Sequence, residues 1–469
     1  MPINRRGLLK GGAGLLALSG LGMGTYMAAR PSLLRKPATS RAEAVATDDR
    51  IPDSADVAVI GGGIVGVMTA LHLHEKGLDV VLLEKGVIAG EQSSRAFGWI
   101  SSIGDKPRRL ALAAPGGAIW RGLNERLGVD TSYRQSGLMH ECKDDAAIAR
   151  WEQWAADHPD QGGREARILR GAELAARLPG GVADKWHAAV LQPLDGSVEP
   201  SAAAPRIAQA LIGRGVRIVQ NCAVRGIETA AGSVSGVATE KGTIACNAVV
   251  LAGGVGSRLF LQNMGIALPV LRVYSYIFSI PGFQDGPEGA GQGQGTAWRK
   301  QVDGGYSIGV QTRYAPILED NFRFLPKFAQ TLRKNWSNFD LQPNREFYED
   351  IFADKSWTHA EVSPFEIDRI LDPRPNTALA ERALADFKRV FPQAQAVEPA
   401  EAWGGVLDIT PDSAPVIQKI EQVPGLVVAA GMSGHGLSMG PAAGQLAAEL
   451  VANDTTTIAD PATYLMARF

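Results

Sequence analysis

The rhythm of apolar and polar positions changes repeatedly along this chain, and each change marks an element. Val57 to Ile60 is a short, mostly β-branched run that stops at Gly61. From Ile64 to Leu73 apolar residues recur at helical spacing, and a second apolar run, Val80 to Leu83, closes on Glu84. Strand, glycine turn, helix and strand are therefore predicted in that order. Ala111 to Leu127 reads as helical around a Pro-Gly-Gly interruption, Ser136 to His140 as a strand, and Trp151 to Leu178 as an interrupted surface helix. The spacing next predicts a helix over Pro200 to Arg214, then strands at Val216 to Val219, Ala223 to Ile227, Val234 to Thr239 and Ala248 to Leu251. The last of these runs straight into Ala252-Gly253-Gly254.

In the second half, Pro269 to Ile280 alternates as a strand, and Gly304 to Val310 is its expected partner, with a turn or loop over Gly282 to Gly295 between them. Phe322 to Asn335 and Thr377 to Phe391 pattern as amphipathic helices, while Asp340 to Pro375 is irregular. A glycine-rich cluster, Trp403 to Asp412, precedes strands at Pro415 to Gln418 and Leu426 to Ala430. The loop Gly431 to Pro441 then opens a helix over Ala442 to Val451. Two distant strand-to-glycine transitions imply one α/β sheet assembled from remote parts of the chain. The stretch between them implies a separate, predominantly antiparallel platform.

The first unit carries chemistry. Gly61, Gly63 and Gly66 occupy G-x-G-x-x-G positions between a strand and a helix. Gly61 permits the tight turn, Gly63 lets a pyrophosphate reach the backbone, Gly66 lets helix and strand pack closely, and the helix N-terminus offers N–H groups to phosphate. Glu84, on the end of the next strand, stands where a carboxylate bonds both hydroxyls of an adenosine ribose and disfavours a 2′-phosphate. Just beyond it, Ser93, Ser94 and Arg95 offer two hydroxyls and a guanidinium to the same pyrophosphate; a plain surface loop is the competing account. A dinucleotide site is thus predicted. The loop at 431–441, feeding a helix N-terminus, is a second anion site.

Composition narrows the classes. Lys+Arg 47 against Asp+Glu 49 gives a net charge of -2 without a basic run, which argues against a nucleic-acid partner. Cys142, Cys222 and Cys246 have no metal-ligand or disulfide spacing, so no metal site is expected. No Ser-His-Asp order, H-E-x-x-H or P-loop lysine is present. Asn4-Arg5-Arg6-Gly7-Leu8-Leu9-Lys10 before the mildly apolar Gly11 to Ala29 resembles a twin-arginine export signal, implying passage through the twin-arginine translocase to the periplasm; an uncleaved membrane anchor is the alternative. Pro31 to Asp53 then reads as a disordered linker.

VAVIGGGIVGVMTALHL, AVVLAGGVGS, and TPDSAPVI with GMSGHGLSMGPAAGQLAAEL, in this order, resemble the D-amino-acid oxidase superfamily of FAD-dependent oxidoreductases over nearly all of Asp56 to Ala452. The resemblance implies an α/β fold: an FAD-binding Rossmann-like domain of the glutathione-reductase type, residues 55–105, 195–265 and 397–455. An inserted α+β substrate domain on an antiparallel sheet, 106–194 and 266–396, would complete it. Residues 1–54 would be signal and linker and 456–469 a tail. It implies that Gly61, Gly63, Ile64, Val65 and Gly66, with Glu84 and Lys85, hold the ADP half of FAD, that Ala252 and Gly253 line the nucleotide, and that Val224 gives its backbone to the adenine. Gly405, Gly434, His435, Gly436, Leu437 and Ser438 would approach the flavin ring, the helix start around Ser438 to Gly440 facing its N1 and C2 carbonyl. Some members tether FAD to a cysteine before the Thr-Pro-Asp segment; Gly404 to Asp412 contains none, so non-covalent FAD is implied. An Arg-Gly-Gln step of the family appears here as Arg272-Val273-Tyr274.

The implied reaction is oxidation of an amine or amino acid by hydride transfer from Cα to flavin N5, in the manner of a D-amino-acid dehydrogenase, with a quinone or O2 as electron acceptor. Oxidation of an N-methyl amine or a 2-hydroxy acid is the alternative, and a flavoprotein without turnover the third. A substrate carboxylate needs a bidentate cation in an apolar pocket. Arg272, Arg299 and Arg313 are candidates for it, Tyr274, Tyr276 and Tyr306 for added hydroxyls, and His435 for a flavin contact or a proton-transfer group.

Overall fold

A computed structural model describes residues 39–104, 106–179, 186–309, 313–316, 318–335, 339–342 and 355–469. The N-terminal segment that resembles an export signal lies outside them. A six-stranded sheet runs Val416–Lys419, Leu426–Ala430, Ala248–Leu251, Val57–Ile60, Val80–Leu83, Arg217–Val219 from edge to edge. All neighbours are parallel except the first pair. Val57–Ile60 is buried throughout, as an unbroken β-branched run must be when both faces of a parallel sheet are covered. The helices Ile64–Glu75, Pro107–Leu127, Pro200–Gly213 and Gly436–Ala452 pack on one face. An antiparallel meander of Val224–Ala230, Ser233–Thr239 and Gly242–Ala245 packs on the other.

The helix 436–452 starts six residues earlier than the apolar rhythm suggested, with Pro441 inside it. Proline cannot donate to the carbonyl four residues back, which here belongs to Leu437. Trp120 Nε1 supplies the missing bond, donating to Leu437 O at 2.7 Å. A tertiary contact thus lets the helix run through a residue that sequence alone treats as a stop.

The second sheet is mixed and mostly antiparallel, in the order Phe339–Gln342, Arg313–Pro316, Leu271–Ile280, Tyr306–Gly309, Thr296–Lys300, Ala290–Gly293, Leu138–Cys142, Ala188–Gln192, Arg167–Leu169. Glu401–Ile409 pairs along the other edge of 271–280, from Leu271↔Ile409 to Ser279↔Glu401. Several expectations need correction here. Residues 403–412 read as a glycine cluster of the nucleotide-binding layer, yet 401–409 form a nine-residue strand held by its pairing with 271–280, the glycine at 404 admitting a close approach of Pro373 that no Cβ would allow unmoved. The Gly282–Gly295 loop contains a strand, 290–293. Trp151–Leu178 is divided among a helix Asp145–Asp157, the strand 167–169 and a helix Gly171–Arg177. The helix 107–127, assigned to the substrate domain, buries Leu112, Trp120 and Leu123 in the nucleotide-binding layer. The expected linker, from Ser40 on, packs on the rest of its unit, with Val45 in that same core.

His72, on the buried side of the helix 64–75, is held down to a pKa of about 4, first by burial and then by the neighbouring Arg126. A depressed histidine stabilises the fold above its unfolded value of 6.5, and that contribution is lost as pH falls toward 4, because only the unfolded chain takes up the proton. His72→Gln is therefore expected to gain about 1–2 kcal/mol on the parent between pH 7.5 and pH 5. Urea melts at both pH values check this; parallel loss in the two proteins would refute it.

Candidate FAD and substrate site

The predicted glycine turn is built as its chemistry requires. Gly61 has φ +110, and a Cβ there would lie 2.5 Å from Ala252 O; one on Gly66 would lie 1.9 Å from Gly61 O. Glu84 is partly buried, its oxygens accepting from Gly62 N at 2.7 Å and Gly86 N at 2.8 Å. Burial raises its pKa while those N–H groups and Lys85 oppose the rise. Each oxygen keeps a second lone pair, so a ribose hydroxyl can still bond there. Ser93 Oγ accepts from Ile64 N at 2.9 Å, at the helix N-terminus beside Gly63. Val65 is buried in the first turn of that helix, and Val224 begins the meander beside Cys222, whose N–H donates to Glu84 O.

Three neighbours of this turn have other employment. Ser94 Oγ donates back to Glu91 O, Lys85 pairs with Glu91 at 2.8 Å and donates to Asp368 O, and Arg95 pairs with Asp372 at 2.8 Å and donates to Gly404 O. Arg95 therefore braces the strand 401–409, where sequence assigned it to a pyrophosphate. The segment 364–372 that supplies these acids read as irregular, since its order comes from docking onto loop 85–95.

At the other anion site, Ser433 has φ +53, Gly431 φ +79 and Gly434 φ +85. Asp408 fixes the loop by accepting from Gly431 N at 2.8 Å, and Thr410 N donates to Ser433 Oγ. Burial pushes the Asp408 carboxyl up to about 6 against the pull of backbone N–H groups that include those of Gly431, Met432 and Ser433. His435 caps the helix that begins at Gly436. Its Nδ1 lies 3.0 Å from Ser433 O, an acceptor only, so Nδ1 carries the proton and Nε2 accepts from Arg109 Nη1 at 3.0 Å. Ser438 Oγ accepts from Ser101 N at 2.9 Å, and Asp195 clamps the next residues through Ser102 N at 2.9 Å and Ser102 Oγ at 2.8 Å. Burial pushes Asp195 up to about 7. Arg109, Asp195 and Asp408 carried no sequence signal; each is an isolated polar residue until the fold brings it here.

Directly opposed residues of antiparallel strands share a face. Val273 with Leu407, Ser275 with Gly405 and Ile277 with Trp403 form one face; Arg272 with Asp408, Tyr274 with Val406 and Tyr276 with Gly404 form the other. A Cβ on Gly405 would lie 3.4 Å from Arg95 Cβ, and one on Gly309, opposite Ile277, 3.0 Å from Phe97, so the first face turns to the loop after the second strand. Tyr274, Tyr276 and Tyr306 belong to the opposite face, in an apolar cluster with Phe278 and Phe387. Burial lifts the Tyr306 hydroxyl to about 12. Arg272 shares that face. Arg299 is also removed from the candidates: it holds Glu199 through two bonds, 2.8 and 3.0 Å, and donates to Phe97 O at 2.8 Å. Arg313 begins the strand beside Tyr274↔Tyr314, and its side chain lies outside the described residues. Among the described residues no three His, Cys, Asp or Glu are grouped to hold a metal, and no helix is long and apolar enough to cross a membrane.

These residues fit an FAD. Beyond the glycine cradle and Glu84, Gln92 Nε2 and Ser257 Oγ are buried without a protein partner, and they lie against Gly254 and Gly253 of the second glycine turn, where ligand oxygens would satisfy them.

Comparison with known proteins agrees. The profile of the family described as "DAO: FAD dependent oxidoreductase" matches residues 56–450. The chain superposes on an L-amino acid deaminase from Proteus myxofaciens, solved with anthranilate, with TM-score 0.88 and 37% identity, covering 92% of this chain and 97% of that one. For an L-amino acid deaminase from Proteus vulgaris the values are 0.86 and 34%, over 91% and 100%. Among curated relatives, 4-methylaminobutanoate oxidase (formaldehyde-forming) of Paenarthrobacter nicotinovorans is 27% identical over 47% of this chain, and the match spans only 27% of that protein's length. Two sarcosine dehydrogenases, from Mus musculus and Homo sapiens, are likewise matched over 27% of theirs. The chain belongs to the DAO family of FAD-dependent oxidoreductases.

Proposed function

We propose that this protein oxidises an L-α-amino acid at Cα, giving a 2-oxo acid and ammonia after hydrolysis of the imine, and passes the two electrons to a respiratory acceptor. The likeness to two L-amino acid deaminases over more than nine-tenths of both chains carries the reading, and it is preferred to the D-amino-acid assignment for that reason. Bound FAD supplies the acceptor for the hydride leaving Cα. The chain's own residues do the rest. Arg313, which begins the strand beside Leu271–Ile280, is our choice for the substrate carboxylate. The N–H groups of the helix start at 436–438 would favour negative charge on a flavin ring held against them.

Anaerobic addition of single amino acids to the yellow holoprotein tests this. Bleaching by L-amino acids and not their D-enantiomers is expected; bleaching by D-amino acids alone, or only by N-methyl amines or 2-hydroxy acids, would overturn it. Hydrogen peroxide formed in step with substrate loss would replace the respiratory acceptor by O2. We also propose export to the periplasm by the twin-arginine route, on the strength of Arg5-Arg6 before the apolar segment. Arg5→Lys with Arg6→Lys should leave the protein in the cytoplasmic fraction; unchanged periplasmic recovery would refute it.

A further inference from the structure

The helix 200–213 contains Pro205, which cannot donate to Ser201 O. Glu43 N donates to that carbonyl instead, at 2.8 Å. The same stretch of chain makes a series of contacts that a passive linker would not. Arg41 lies 3.8 Å over the Trp403 ring and pairs with Glu401, both on the platform strand. Glu43 holds Arg206 through two bonds of 2.9 and 2.8 Å, and Ala46 N donates to Gln209 Oε1. Val45 is buried.

The arm ends on Gln220, a buried residue on neither the glycine turn nor the loops assigned to FAD. Its Nε2 donates to Val45 O at 2.9 Å and to Thr47 Oγ1 at 3.2 Å, and its Oε1 accepts from Ile88 N at 2.7 Å. Ile88 closes on the glycine turn: its Cδ1 lies 2.5 Å from where a Cβ on Gly62 would stand, and the next N–H, of Ala89, donates to Gly62 O. A chain of direct contacts therefore runs from the platform strand, along the arm, through one amide side chain, to the wall of the adenosine site.

We propose that residues 40–47 are a strap that sets how tightly FAD is held, with Gln220 as the positioning residue that passes the strap's hold to the 85–89 wall beside Glu84. The strap spans the helix 200–213 and the platform strand, so it also resists separation of the two layers between which the cofactor lies. The proposal rests on the FAD assignment of the family and not on the choice of substrate.

Full-length holoprotein carrying Gln220→Leu, or the double exchange Arg41→Ala with Glu43→Ala, is diluted, and FAD release is followed by the rise of flavin fluorescence; melting of the FAD-free protein is measured alongside. Each variant is expected to release FAD about tenfold faster, the worth of roughly one buried hydrogen bond. Arg217→Ala, which loses the Asp79 pair on the same layer but touches no strap residue, should release it at the parent's rate. Release within twofold of the parent in both strap variants would overturn the proposal, as would a lowered melting temperature of the FAD-free protein with release unchanged. Should Gln220→Leu fail to fold, the Arg41/Glu43 pair decides the matter alone, since Glu43 is exposed and Arg41 is half-buried outside the sheet cores.

Discussion

Gly66→Ala is expected to give protein that binds FAD at least about a hundredfold more weakly than the parent and purifies colourless. The added methyl carbon would stand 1.9 Å from Gly61 O and 3.6 Å from Ala252 Cβ. The nearest atom is backbone, so no side chain can swing aside; the helix 64–75 must lift from the strand or Gly61 must turn its peptide. Overpacking of this kind costs ~1–3 kcal/mol, and both relaxations also spoil the N–H geometry offered to the pyrophosphate. Gly122→Ala is the control: a Cβ there meets nothing within 4 Å, so the exchange on the helix 107–127 should stabilise by about 1 kcal/mol and leave FAD untouched. Equilibrium titration with FAD, followed by flavin fluorescence, distinguishes them. A Gly66→Ala protein with parental affinity would mean that the dinucleotide does not lie on this turn.

The second large effect is expected at Arg299. Burial alone would raise the Glu199 carboxyl, but the Arg299 guanidinium, together with the Val302 N–H and Arg206, outweighs burial and holds it below its ordinary value. Arg299→Met leaves that carboxylate unpaired, removes the bonds to Phe97 O and Ser307 Oγ, and should cost ~3 kcal/mol. Changing Glu199→Gln in addition should recover a good part of the loss, because a neutral amide is far cheaper to bury than an unpaired charge. The sign of the pH dependence follows from the lowered carboxyl: the pair's contribution is present above the unfolded carboxylate value and is lost as pH falls through the folded one. Parent and Arg299→Met should therefore converge in stability in acid. Urea melts at neutral and acidic pH would show it; a variant within 0.5 kcal/mol of the parent at pH 7, by the usual spread of surface exchanges, would mean the pair is not a joint between layers.

Tertiary context also explains where sequence expectations were displaced. The alternation of Arg272 to Ile280 correctly marks a strand, but alternation is symmetric and does not say which side meets the cofactor. Gly309 and Gly405, each with a loop residue where a Cβ would be, decide it, and they turn Tyr274, Tyr276 and Arg272 to the other face. Likewise Arg299 and Arg95 are suitable cations by type, and only their distances to Glu199 and Asp372 show what they hold.

By itself the sequence determined the βαβ unit, its three glycines and Glu84, because that chemistry is local: turn, helix start and acid lie within one short stretch. It also determined that distant glycine turns meet in one sheet and that an antiparallel platform stands apart. The tertiary structure alone decided that the last helix runs through Pro441, since the missing hydrogen bond comes from Trp120, remote in the chain. It alone decided which face of the platform meets the cofactor layer, and that Asp195, Asp408 and Gln220 matter. A single buried polar side chain has no periodicity to read; its meaning lies in the partners that folding brings to it.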